Sequence, residues 1–538
     1  MTDRAPGRAF DSTDLQVIRK ICTRLDGIPL AIELASARAN VLAPAEIMSR
    51  LATYFAVDRL DEHGHQLLAA VQWSYDQLDP EARLLFDRLS AFSGGFTANA
   101  AEAVCGNDDL PDIIAPLSRL VDDGLLLVDA TSGGSRLRLL GILRDFSARR
   151  LDLGGQTDLI RHRHREYHHQ LITSAAERFN GEAEARVWVE LGLAWSEIRT
   201  TVNGLLNDGS LDQAGDMLAS LFYFAGYSIN QEVADWALTF CAHPAATDSA
   251  YFTSVAGTAA FGLFGRAQLK ASYELARRGL EADPTDPNGF CHLSGVIATI
   301  NLGLQDESKA LLDHWFDLGT AQSTHARIWA HGWMAVWQAW FKKSPDAITH
   351  GEISLGLAEE LGSPSARAAA NWIFATACAL EHPYLALASL EDGLRLADEI
   401  SPRHLIGQLI LGARTDLTIR VGDLRKAIDQ CLQALEDAVR YDWLISASHL
   451  LGSAAVVLVD AEQPHIAAKL LGAMRAVGHV PRARAITAVE EALGPRSAPM
   501  QTLGAHLSLR DAADLAIEHL RSLREAPDLS PAIATWLP

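Results

Sequence analysis

The sequence predicts an all-α (mainly) chain: a small helical domain closed by one β-hairpin, then a long array of paired helices. Three observations predict it. Apolar residues recur at i, i+3, i+4 and i+7 over most of the 538 residues, and β-branched alternating runs are rare. One glycine-centred hairpin pattern stands out between residues 125 and 140. Compact residues recur with a helical offset at a period of 36 to 41 residues.

The small domain is read in chain order. Asp79-Pro80 opens a helix through Leu89, with Pro where its missing N–H costs nothing. Ser93-Gly94-Gly95 breaks the chain, and Thr97 caps a short helix to about Cys105. Pro111 opens the next helix, which ends near Asp123-Gly124. Leu125 to Asp129 and Arg136 to Leu140 then flank a turn, Thr131 to Ser135, whose glycines supply positive φ. A closing helix runs from about Ile142 to Leu151. Three helices, a two-stranded wing and a closing helix describe a winged-helix domain, placed at 66–155. Residues 1–65 precede it and 156–210 form a helical linker.

From residue 211 to 525 the pattern is a repeat. The triples Ser272/Ala276/Gly279, Ser308/Leu312/Trp315, Ala347/Gly351/Ser354, Ala386/Leu390/Gly393, Ala427/Cys431/Ala434 and Ala468/Gly472/Arg475 share offsets of four and seven. Such offsets lie on one helix face and let a neighbouring helix approach. Breakers separate the helices, among them Asp283-Pro284, His382-Pro383 and Gln463-Pro464. Two helices per unit at this period predict a tetratricopeptide-like α-solenoid. Residues 526–538 read as a tail.

Composition excludes several function classes. Lys and Arg number 46 against 67 Asp and Glu, a formal charge of −21, so bulk charge does not draw this chain to nucleic acid. The six cysteines are far apart and form no CxxC, against a zinc ribbon or a disulfide framework. No apolar run approaches the roughly 20 residues of a membrane span. The N-terminal residues lack the apolar stretch of a signal peptide. The expectation is a cytoplasmic protein without membrane partners.

Residues 15–50, LQVIRKICTRLDGIPLAIELASARANVLAPAEIMSR, resemble the end of the nucleotide-binding module of STAND signalling ATPases (NB-ARC-like), with Gly27-Ile28-Pro29-Leu30-Ala31 matching its GxP motif. Residues 70–96, AVQWSYDQLDPEARLLFDRLSAFSGGF, resemble the entry to the winged helix of the bacterial LuxR-type branch. Residues 466–478 and 503–519 resemble that branch's closing repeats. The resemblance implies a transcriptional regulator of STAND type. The chain departs from it in its chemistry. No GxxxxGK[ST] loop occurs, and the first lysines, Lys20 and Lys270, follow no glycine-rich turn. Leu139-Leu140-Gly141 stands where eukaryotic relatives carry Met-His-Asp. The repeats run to the end of the sequence, where LuxR-type members carry a DNA-reading helix-turn-helix. No enzyme activity is expected, and no cofactor, ATP or ADP entering only if an upstream module supplies the phosphate cradle.

Four groups of candidate residues follow. Gly27 and Pro29 read as a helix-start turn, and the resemblance adds a vestigial adenine contact. Trp329, Trp333, Trp337 and Trp340 fall on one helix face, either as a core stripe or as an aromatic platform for a protein or peptide partner in the solenoid groove. Residues 136–165 carry eight Arg against three Asp, so Arg136, Arg138, Arg144, Arg149 and Arg150 are the candidates for DNA contact. His164 and His168 have a zinc-binding spacing in an Arg-rich run without placed carboxylate or Cys ligands, so the reading is a solvated helix face and no metal. The function expected is a regulatory, interaction-based one, the helical repeats binding a partner or ligand. Two alternatives stand beside it: a DNA-binding regulator using the Arg-rich wing, and part of an ATPase whose P-loop lies upstream.

Overall fold

A computed structural model describes residues 12–24, 29–37, 39, 42–54, 70–131, 134–228, 230–319, 322–401 and 404–525. The chain divides into two compact units, Met1–Leu171 with Val189–Thr201, and Ile172–Trp188 with Val202–Pro538. Gly27, the wing tip 132–133 and the 526–538 tail lie outside the described residues.

The first unit begins with three helices, α1 (Ser12–Arg24), α2 (Pro29–Ala37) and α3 (Pro44–Tyr54). Helix α4 (residues 70–76) serves two cores. Its Ala70 and Trp73 pack with Ile21, Ala35 and Ile47, while Val71 and Tyr75 pack into the winged-helix core. Helix α5 (Pro80–Arg88) starts as its sequence directs: the Ala82 N–H donates to Asp79 Oδ1 at 2.8 Å, with Pro80 in the first turn. Thr97 caps α6 (Ala98–Cys105) through the Ala100 N–H.

Two sequence expectations need correction here. Pro111 does not open a helix. Asn107 and Leu110 pair as an isolated bridge, Asp112 Oδ1 takes the Ile114 N–H at 2.8 Å, and α7 runs Ile114–Asp122. The wing has three strands, not two. Strands β2 (Leu127–Thr131) and β3 (Gly134–Arg138) form the hairpin, with Val128 opposite Leu137, and β1 (Gly95–Phe96) pairs with the other edge of β3. A two-residue strand gives no alternating pattern to read. Helix α8 (Gly141–Leu153) closes the domain through Leu143, Phe146 and Leu151.

Two long helices follow, α9 (Thr157–Phe179) and α10 (Glu184–Asn207). The His164/His168 expectation is overturned. Both rings are buried in the first unit against Phe92. His164 Nε2 meets Glu197 Oε2 at 2.9 Å, and the Ser93 and Gly94 N–H groups donate to the same carboxylate at 3.0 and 2.5 Å. Burial raises the Glu197 pKa, but these donors outweigh it and hold the carboxyl low. Burial pushes His168 down to about 4, with His164 adding to the shift. Among the described residues no group of His, Cys, Asp and Glu is placed to hold a metal.

The second unit is the helical array. After α11 (Leu211–Ser220), α12 (Phe222–Ser228) and α13 (Gln231–Ala242), helices pair as α14 (Phe252–Gly265) with α15 (Leu269–Ala282), α16 (Phe290–Asn301) with α17 (Gln305–Asp317), and α18 (Thr324–Trp337) with α19 (Asp346–Leu361). Then come α20 (Pro364–Cys378) with α21 (Pro383–Ile400), α22 (Leu405–Arg420) with α23 (Leu424–Arg440), and α24 (Leu444–Asp460) with α25 (Pro464–Ala476). Every second helix carries one of the sequence triples, and all their members are buried except Arg475. The first helices also touch each other in succession, α14 to α16 through α22 to α24. The row curls until α14 meets α24 and α12 meets α22.

Helices α26 (Ala483–Leu493), α27 (Ser497–Gly504) and α28 (Leu509–Glu525) end the array. At the α25–α27 crossing a Cβ on Gly472 would lie 2.0 Å from Gln501 O, and one on Gly504 would lie 2.0 Å from Lys469 O. Only glycine allows that approach. No helix among the described residues is long and apolar enough to cross a membrane.

Candidate functional site

The inward curl of the first helices leaves a hollow inside the second unit. Its volume is about 70 Å³. Its walls are mainly aromatic: Tyr223 and Tyr227 from α12, Phe261 from α14, Trp329 and Trp333 from α18, and Trp372 from α20. The rings brace one another. Trp333 and Trp372 meet edge to face at 5.8 Å between centroids, and Tyr223 stacks on His325 at 3.7 Å. His325 is held neutral, since burial drives its pKa down to about 3, and its nitrogens meet Tyr227 Oη at 3.0 Å and Asn180 Oδ1 at 2.7 Å.

One edge of the hollow is polar. Asp416 on α22 accepts from Ser453 Oγ at 2.6 Å and is paired with Arg482, which precedes α26. The Arg482 guanidinium lies over the Trp340 ring, 5.0 Å from its centroid. His449 Nε2 meets Asn301 Oδ1 at 2.8 Å, and burial with the nearby Arg482 charge lowers its pKa to about 4.

Three of the four sequence-selected tryptophans reach this hollow: Trp329, Trp333 and Trp340. Trp329 and Trp333 are each 7% exposed, so they form an interior wall rather than an open surface platform. Trp340 sits on a π-helical turn, Gln338–Lys342, and is half-buried. Trp337 faces elsewhere, donating its N–H to Ser308 Oγ on α17 at 3.0 Å. Trp337 closes the regular part of α18, ahead of the π turn, and lies at the far edge of the stripe at helical pitch. Sequence reasoning missed Tyr223, Gln408, Asp416, Ser446, His449 and Arg482. Apart from Arg482, just ahead of α26, they come from helices without a small-residue triple, and no motif marks them.

The winged-helix arginines are mostly engaged within their own unit. Arg136 donates to Gly95 O and Arg144 to Ser93 O, both pinning the chain ahead of and within β1. Arg138 crosses the wing to Asp129 at 2.7 Å. Arg149 bonds Asp145 O at 3.2 Å, and Arg150 lies over the Tyr75 ring, 5.0 Å from its centroid. Arg149 and Arg150 remain exposed. Beneath them Tyr75 Oη donates to Asp87 at 2.9 Å, and burial raises the Asp87 pKa to about 6. Pro29 opens α2 on an exposed position, as a helix-start turn would.

Residues 78–152 match the winged helix-turn-helix domain family. The chain is also similar, at 35% identity over 176 residues, to a Mycobacterium tuberculosis protein named as an HTH-type transcriptional regulator. That match covers 31% of this chain and 20% of the regulator. An uncharacterized M. tuberculosis protein matches at 35% identity over 167 residues, covering 30% of this chain and 42% of its own length. The matched stretch thus spans less than half the length of either relative. Among solved structures, a STAND protein with a tetratricopeptide repeat sensor from Pyrococcus horikoshii aligns with 92% of this chain and 74% of its own, at 11% identity and a TM-score of 0.45.

Proposed function

We propose that this chain is a regulatory protein of the LuxR-type STAND kind, in which the helical array binds a partner or ligand and the winged helix-turn-helix domain carries the response. Catalysis has no part in this reading, and ATP or ADP would act only through a phosphate cradle supplied from outside the described sequence. The observation that carries it is the hollow: one row of helices turns its aromatic side chains onto a shared interior space. Solenoids use such inner faces for recognition.

DNA contact is the second reading. The winged helix-turn-helix match and the exposed Arg149 and Arg150 favour it. The engaged Arg136, Arg138 and Arg144 weigh against a contact made by the wing itself, because each would have to leave an internal partner.

Transcript profiling of a deletion strain, with chromatin immunoprecipitation of the tagged chain, tests both. A defined set of altered transcripts supports the regulatory reading, and recovered DNA with salt-sensitive binding in vitro adds the second. An unchanged transcript profile with no recovered DNA would sink both.

A further inference from the structure

The curl of first helices closes on itself along one seam, where α12 and α14 meet α22 and α24. That seam is loosely packed. Beside the hollow of about 70 Å³ lies a second gap of about 20 Å³, with Phe222, Phe261 and Gly262 on one side and Leu405 and Ile445 on the other. A gap forfeits the dispersion contacts that its lining would otherwise make. Within each helix pair, by contrast, the buried compact triples let the helices approach closely.

A short segment fastens the closed curl. Residues Val477 to Arg482, between α25 and α26, reach across to the end of α16. The Val480 N–H donates to Asn301 O at 2.9 Å, and Asn301 Oδ1 meets His449 Nε2 on α24 at 2.8 Å. Two glycines at positive φ allow the approach: a Cβ on Gly303 would lie 3.1 Å from Val480 Cγ2, and one on Gly478 would lie 3.3 Å from Leu302 Cδ2. Arg482 carries the segment onto the Trp340 ring, beyond α18, and pairs with Asp416. One end of this strap is firm, since His479 is 5% exposed and bonds Ser448 Oγ on α24 at 2.5 Å. The hold on α16 and Trp340 is light: Val480 is 48% exposed and the Arg482 side chain 51%.

The aromatic wall inside the curl is out of a partner's reach while the curl is shut. Trp329 and Trp333 are buried, and a cavity that takes even benzene measures about 150 Å³, more than the hollow provides. We propose that Val477 to Arg482 form an inhibitory strap, and that release of its hold on α16 and Trp340 lets the array open along the α12/α14–α22/α24 seam and present the Trp329–Trp333 wall. A partner that binds only the open array then shifts the population toward it. This rests on the reading of the array as the partner-binding part of the chain.

The test reads side-chain access in the purified full chain, by maleimide labelling resolved by mass spectrometry. Ser446→Cys places a thiol beside the hollow on α24, at a residue 2% exposed. Cys378 on α20 and Cys431 on α23, both 0% exposed, serve as internal controls. The new thiol should react at least about tenfold faster than either control, because it needs only the seam to open and they need a helix pair to part. Adding Asn301→Ala/Arg482→Ala removes the contacts to His449, Trp340 and Asp416. That should speed the new thiol by about tenfold more, the scale of one or two lost hydrogen bonds, and leave both controls unchanged. Gly303→Cys/Val480→Cys sets two Cβ atoms 3.6 Å apart, within disulfide range, and so locks the strap to the end of α16. Once oxidised, this variant should slow the new thiol by about tenfold or more. The proposal is overturned if the new thiol reacts no faster than the controls, if the strap variant leaves its rate unchanged or speeds all three thiols alike, or if the disulfide does not slow it. If the seam stays shut while deletion still alters transcripts, the regulatory reading stands and only the strap falls.

Discussion

Replacing Glu184 with Ala removes one carboxylate on which four donors converge. Ser363 Oγ and the Ser365 N–H donate to Oε2 at 2.8 and 3.0 Å, while Trp188 Nε1 donates to Oε1 at 3.2 Å and Ser365 Oγ bonds the same oxygen. Glu184, Ser363 and Ser365 are all 0% exposed. Burial pushes the carboxyl pKa up, and the donors pull against that. The two hydroxyls have other partners: Ser363 Oγ accepts the Ala366 N–H at 3.1 Å, and Ser365 Oγ meets His404 Nε2 at 2.6 Å. The Ser365 and Trp188 N–H groups have no such fallback. Two orphaned donors at about 1–2 kcal/mol each give a loss of about 3 kcal/mol for Glu184→Ala. Glu184→Gln keeps the shape, but fixed donors face both of its oxygens, so one must meet an NH₂ group, at about 1–2 kcal/mol. Unfolding of a two-unit chain is not a single transition, so the assay is native-state hydrogen exchange of amides 365–370, which reads local opening. The expected order of protection is wild type, then Gln, then Ala. If either variant protects as well as wild type, the carboxylate is a buried charge better removed, and the reasoning fails.

Three further outcomes are expected. His325 and His404 are held neutral in the fold, each pushed by burial down to about 3; their contribution is full above the unfolded value near 6.5 and is lost as pH falls. At 1.36 kcal/mol per unit each should cost about 2 kcal/mol at pH 5, and equal exchange protection of the second unit at pH 7 and pH 5 would contradict this. Arg136→Ala and Arg144→Ala should each loosen residues 95–101 by about 1–2 kcal/mol in exchange experiments, because their guanidiniums hold loop carbonyls, whereas exposed Arg149→Ala should cost under about 0.5 kcal/mol. Gly472→Ala should lower the exchange protection of α25 and α27 through overpacking at their crossing, and unchanged protection would show that the crossing can open cheaply.

What was legible in the sequence was local. Asp79-Pro80 and Thr97 act as caps because an N-cap needs only its own side chain and the next turn. The hairpin followed from glycines in a turn between apolar runs. Strand β1 was not legible, since its two residues become a strand only when β3 arrives from some forty positions downstream. The histidines of α9 misled for a related reason. Three arginines beside them argued for solvent, yet a helix presents different faces, and Glu197, far along the chain, buries one of them.

The candidate site was only half legible, and the geometry of a paired-helix array explains why. The second helix of each pair must fit between the first helices of two successive pairs, so close packing selects compact residues at a fixed offset. That selection writes a periodic mark, and the triples carry it. The first helices face the interior of the curl instead. Nothing repeats there, because each pair meets a different neighbour across the space: α14 meets α24 and α12 meets α22. Trp329 and Trp333 were visible because four closely spaced tryptophans are conspicuous, but Gln408 and Ser446 are each one of several polar residues on α22 and α24, with nothing to single them out. Taken alone, each reads as an ordinary packing compromise. Only the curl brings them around one hollow.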